Sequence, residues 1–183
     1  MTRLGVNISM AIVLGWVMFA LADLVLPAWV ALVAAITVGM LSVSVLRRTV
    51  AIGGVVALLA PFGVMLPALA LRDVAVAFGA PIPGFSTPEI AVFLMLYTGF
   101  LASVYGKVPI ELYRYGYAPK PVGLMVLALC AYSFATGNWF LAVVTVTAQS
   151  FWTLRLGSSN WFDHMLHVLL WPAALWALIA RVF

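Results

Sequence analysis

From Asn7 to Leu46 the chain carries a single charged residue, Asp23, and this run restricts what it can fold into more than any other feature. A helix that crosses a hydrocarbon core uses about 20 apolar residues. The run is about twice that length, so it must fold back. "ADLVLPAW" is where it does so, because Asp23 and Pro27 interrupt it. Further apolar runs cover 49–71, 88–106, 121–136, 138–154 and 161–180. The expected fold is therefore an all-α polytopic integral membrane helix bundle. It has about seven transmembrane helices in a single transmembrane domain over 1–183, with spans at 7–25, 28–46, 49–71, 88–106, 121–136, 138–154 and 161–180.

Composition points the same way. The 183 residues are 66% hydrophobic and 8% charged, and mean hydropathy is +1.19. Soluble domains carry about a quarter charged residues. The net charge of +4 comes from nine basic residues scattered over many loops, which is no nucleic-acid patch. With one cysteine, Cys130, an intrachain disulfide and a thiolate metal cage are both excluded.

Basic residues orient membrane chains, with lysine and arginine concentrated on the cytoplasmic side. Seven spans would put Arg3, Arg47, Arg48, Lys107, Arg114, Lys120 and Arg155 on one side and only Arg72 and Arg181 on the other. The expectation is a cytoplasmic N-terminus, an outer C-terminus and a plasma-membrane location, the inner membrane of a prokaryote. "MTR", an apolar run and "ALAD" (20–23) also have the form of a signal peptide, whose cleavage would leave six spans.

Punctuation marks two loops. The loop 72–89 ends in Ser86 and Glu89 at capping-box spacing, with Thr87–Pro88 as an alternative helix start. Glu89 reads either as a capping acid or as a cation or substrate contact. The loop 105–121, "YGKVPIELYRYGYAPKP", places Lys107, Glu111 and Arg114 at helical-neighbour spacing among four tyrosines. With Arg47, Arg48 and Lys120, its basic residues Lys107 and Arg114 form a candidate face for a partner or for anionic lipid headgroups. The third span carries Gly53, Gly54, Pro61, Gly63 and Pro67, so it is expected to kink or break.

Polar residues within apolar runs are the candidate sites. Asp23 pairs with Arg72 or Arg181, or couples an ion or proton. Tyr97, Tyr132, Thr145 and Gln149 glue helices together or line a track for a small neutral or zwitterionic solute. "GSSNWFDHMLH" (157–167) holds both histidines of the chain. Asn160 is expected as a helix N-cap with Asp163 in the first turn. Asp163, His164 and His167 can share one helical face, and they are the candidate catalytic or pH-responsive groups.

Several classes are excluded. The only lysines, Lys107 and Lys120, sit in or beside a loop, so no retinal Schiff base forms in the last helix. Two histidines on one helix cannot clamp a haem from facing helices, and two are too few for a membrane di-iron site. No P-loop or G-x-S-x-G motif occurs. No metal or other cofactor is expected. The functional expectation is a transport component, either a small carrier or the membrane subunit of a larger permease. The alternatives are an accessory or assembly subunit of a membrane complex, then a lipid-headgroup-modifying enzyme. The expected partners are the anionic bilayer face, further copies of the chain in a homo-oligomer, or other membrane subunits.

Overall fold

The computed structural model describes residues 3–45, 54 and 63–182. The chain packs as two compact units, Met1–Ile82 and Pro83–Phe183.

In the first unit, α1 (Arg3–Ala22) and α2 (Ala28–Ser44) flank the turn at Asp23–Pro27. Proline preceding a helix is compatible with its missing N–H, and Pro27 stands at the N-cap. The two helices approach through glycine. A Cβ on Gly15 would lie 2.9 Å from the Ala35 carbonyl oxygen, and one on Gly39 would lie 2.7 Å from that of Ala11. Phe19, Ala22, Ala31 and Ala35 form the small core beside this contact. The opposite face of α2, with Trp29, Val33, Ile36 and Met40, stays exposed. α3 (Met65–Ala77) is tied to α1 by the Trp16 indole N–H, which donates to Asp73 Oδ2 at 2.8 Å. Gly39→Ala should lower the stability of this unit by about 1–2 kcal/mol, the overpacking cost less the helical gain of alanine. Urea unfolding followed by circular dichroism measures it, and an unchanged midpoint contradicts the close packing.

The second unit begins with α4 (Thr87–Val104). Its capping box is complete: Ser86 N–H donates to Glu89 Oε2 at 2.5 Å, and Glu89 N–H donates to Ser86 Oγ at 3.4 Å. A 3-10 turn (Leu112–Tyr117) leads into α5 (Pro119–Thr136), which opens on proline. Gly137, at φ +70°, and Asn138 make the tight turn into α6 (Trp139–Thr153). α7 (Trp161–Met165) and α8 (Leu170–Val182) complete the unit.

These boundaries overturn the seven-span bundle. Among the described residues, three helices hold a stretch long and apolar enough to cross a membrane: Gly5–Ala22, Thr87–Val104 and Pro119–Thr136. α2 and α8 are apolar but shorter, and α6 ends after 15 residues. The expected span 161–180 is two helices separated at residues 166–169. Its physical cause is Pro172. Inside one continuous helix, proline would remove a hydrogen bond and clash with the preceding turn, at a cost of about 3 kcal/mol. Restarting at Leu170 puts Pro172 in a first turn, where its missing N–H costs nothing. Where the span 49–71 was expected, the described helix begins at Met65 and extends to Ala77, taking Arg72 and Asp73 into its body. Pro67 falls in that helix's first turn, while Gly53, Pro61, Arg47 and Arg48 lie outside the described residues.

The expectations that depended on seven spans are corrected with the count. They are the alternating N-in, C-out topology, its six-span variant, and multi-pass placement in a prokaryotic inner membrane. The anionic bilayer, the homo-oligomer and the membrane complex as partners rested on the same count. Each needed a stack of full-length apolar spans. The described apolar runs are instead cut into shorter helices and cross-tied by polar side chains.

Candidate functional site

The site is built at the connector between α4 and α5. α4 ends in a Schellman motif: Gly106 N–H donates to the Ser103 carbonyl at 3.0 Å, and Lys107 N–H donates to the Ala102 carbonyl at 2.8 Å. Gly106 has φ +67°, a conformation glycine adopts without strain. The returning chain is then stapled to α4 by one hydroxyl. Ser103 Oγ donates to the Ile110 carbonyl and accepts from Leu112 N–H at 2.8 Å. The helical-neighbour spacing of Lys107, Glu111 and Arg114 is not realised in one regular helix: Lys107 and Glu111 precede the tighter 3-10 turn that holds Arg114.

A polar knot fastens this turn to α7. Asp163 Oδ2 accepts from the Tyr113 hydroxyl at 2.8 Å and from Ser158 Oγ at 2.6 Å. Ser158 Oγ in turn accepts from Asn160 N–H at 3.0 Å. Asn160 is fully buried and uses both ends of its amide: Oδ1 caps α7 through Phe162 N–H at 2.9 Å, and Nδ2 donates to the Tyr113 carbonyl at 2.8 Å. Gly116 faces that amide so closely that a Cβ would lie 2.7 Å from Asn160 Cγ and 2.7 Å from Phe162 Cδ2. Rings continue the contact. Phe100 lies 4.7 Å from Phe162 and 6.2 Å from Tyr113, and Tyr113 meets Tyr117 edge-on at 5.7 Å and 87°.

Burial, with the hydrogen bond to Asp163 and its negative charge, pushes the Tyr113 phenol far above its usual pKa. The folded chain therefore keeps a proton that the unfolded chain releases above about pH 10. The unfolded state then binds fewer protons, so stability falls as pH rises through that range. Tyr113→Phe should flatten this fall in melting temperature between neutral and strongly alkaline pH. A variant whose alkaline slope equals that of the parent refutes the coupling.

The two histidines are buried and serve the backbone. His164 Nε2 faces the Ser158 carbonyl at 2.8 Å, which requires a proton on that nitrogen. His167 Nδ1 accepts from Leu169 N–H at 3.1 Å, within the interruption ahead of α8. Among the described residues, no three His, Cys, Asp or Glu side chains come together as a metal would require.

The remaining sequence candidates are dispersed. Tyr97 is buried between Phe93 and Phe100, at ring distances of 5.3 and 6.1 Å. Thr145 is buried and returns its hydroxyl to the Leu141 carbonyl of its own helix. Gln149 donates to Thr153 along α6. Tyr132 is exposed and donates to Glu89 Oε1 at 2.8 Å. Asp23 is exposed in the turn after α1, while Arg72 donates to the Ile82 carbonyl and Arg181 to the Phe85 carbonyl. Lys107, Arg114 and Lys120 are exposed.

Two pockets of similar size open on the second unit. One, about 520 Å³, lies beside Glu89, Tyr132 and Asn138. Both oxygens of Glu89 there already accept hydrogen bonds, from Ser86 and Tyr132. The other, about 530 Å³, lies under the connector, with Val104, Val108 and Pro109 as apolar wall. Tyr113 and Tyr117 form its aromatic side, and Glu111 and Arg114 its charged side. Neither of those two charges has a hydrogen-bond or ion-pair partner among the described residues.

Compared with known proteins, the chain matches no family model, no curated protein and no solved structure at a significant level.

The functional expectations are corrected accordingly. A carrier or permease subunit needed the seven spans and a polar track, and among the described residues no hydrogen bond links Tyr97, Tyr132, Thr145 and Gln149 to one another. An accessory subunit of a membrane complex rested on the same bundle. A headgroup-modifying enzyme needed Asp163, His164 and His167 open to substrate. Instead, Asp163 accepts two hydroxyl hydrogen bonds, and both histidines are buried.

Proposed function

We propose that Pro83–Phe183 is a small-molecule-binding helical module whose site is the pocket beneath the α4–α5 connector. One observation carries the reading: a pocket of about 530 Å³ combines an apolar wall with two charged side chains that have no partner among the described residues. Ligand sites commonly occupy some 300–1,000 Å³ and pair a mostly apolar lining with a few convergent polar groups. The walls are held in advance by the Ser103 staple and the Tyr113–Asp163 knot. A wall already ordered before binding reduces the entropy lost on binding.

The test is a thermal-shift panel of small polar compounds on the purified full chain. A ligand at a hundred times its Kd stabilises the folded state by about 2.7 kcal/mol. At least one compound should raise the melting temperature, and the rise should vanish in Tyr117→Ala. A panel in which no compound raises it, or a rise that survives Tyr117→Ala, overturns the proposal.

A further inference from the structure

We infer that the occupant of this pocket is a small zwitterion, an organic ammonium joined to a carboxylate, as in a free amino acid or a betaine. This rests on the pocket being a binding site. The ligand class follows from the spacing of the two charges and from the rings beside them.

Glu111 immediately precedes the 3-10 turn and Arg114 lies within it, and Arg114 N–H donates to the Glu111 carbonyl at 3.1 Å. That bond closes a turn, which holds the two Cα atoms within about 7 Å of each other, and both side chains line the same pocket. They are not joined to each other in the structure. Opposite charges at that spacing suit a short molecule bearing both signs.

The aromatic side accounts for the ammonium. Tyr113 and Tyr117 both line the pocket and meet edge-on at 87°, and a ring face left open beside them attracts a cation. The Tyr113 hydroxyl donates to Asp163, which leaves its ring richer in electrons. Arg114 supplies the complementary fork for a carboxylate. A simple anion would meet the Glu111 carboxylate, and a simple cation would meet Arg114. Each is thus opposed by one of the two charges, which is how a site discriminates.

The experiment is isothermal titration of the full chain with glycine betaine and with glycine. Tetramethylammonium and acetate serve as single-charge controls. At least one zwitterion should bind about fivefold or more tighter than either control, the size of one partly exposed charge contact. Glu111→Gln and Arg114→Gln are exposed and should fold normally. Each should weaken zwitterion binding by a similar factor, and Arg114→Gln should bring tetramethylammonium level with betaine. Acetate or tetramethylammonium binding as tightly as both zwitterions overturns the ligand class but leaves the pocket as a binding site. The same holds if neither zwitterion binds while another compound stabilises the chain in a Tyr117-dependent way. If no compound of any class binds, the binding module and its ligand class fall together.

Discussion

Gly116→Ala should destabilise the second unit by about 2–4 kcal/mol, combining overpacking with disturbed hydrogen bonds. The added methyl would overlap the Asn160 side chain, which has nowhere to go. Asn160 is fully buried and bonded at both ends, to Phe162 N–H and to the Tyr113 carbonyl. Swinging it aside would uncap α7 and release the 3-10 turn together. Phe162 Cδ2 would also lie 2.7 Å from the same methyl and crowds it as well. Gly99→Ala is the matched control. It lies in α4, and a Cβ there meets nothing within 4 Å. That variant should gain roughly 0.5–1 kcal/mol from helix propensity alone. Thermal unfolding of both, followed by circular dichroism, decides the matter. Equal melting temperatures would mean that the 116–160 contact is not tight.

Asp163→Ala should cost about 2–4 kcal/mol, since two hydroxyls lose an ionised acceptor at once. Tyr113 and Ser158 both donate to the same oxygen, and through them Asp163 holds the 3-10 turn against the loop before α7. Combining Asp163→Ala with Tyr113→Phe tests whether the two act as a unit. Residues in one hydrogen-bond network show coupling of about 0.5–3 kcal/mol in such a cycle. The double variant should therefore lose clearly less than the sum of the singles. Strict additivity would mean that Tyr113 and Asp163 contribute independently. The same variants bear on ligand binding, because Tyr113 is one wall of the connector pocket.

Local chemistry was legible wherever neighbouring residues decide the structure. Ser86 and Glu89 form the capping box their spacing implies, and Asn160 caps α7 with Asp163 in its first turn. The tight turn between α5 and α6 follows from Gly137 and Asn138. The apolar runs likewise mark helices. What they do not mark is continuity. Residues 161–180 have the composition of one span, yet Pro172 divides them, and His167 fills the gap by accepting from Leu169 N–H. The pair of histidines, the most enzyme-like feature of the sequence, thus acts on the backbone around a helix interruption.

The candidate site was only partly legible. Glu111 and Arg114 stand out as charges in an apolar chain, and the tyrosines crowd around them. Ser103, Gly116 and Ser158 carry no signal of their own, being small residues common in any chain. Their roles arise from partners distant in sequence, such as Asn160 opposite Gly116. By itself the sequence determined an all-α chain rich in apolar helices, together with its caps and tight turns, because hydrogen bonds within a few residues settle those. Only the tertiary structure decided which apolar runs stay whole, which polar groups meet, and which two charges line one pocket with no partner among the described residues. Those outcomes depend on side chains from separate helices competing for the same space and the same hydrogen bonds, and spacing along one helix cannot encode that competition.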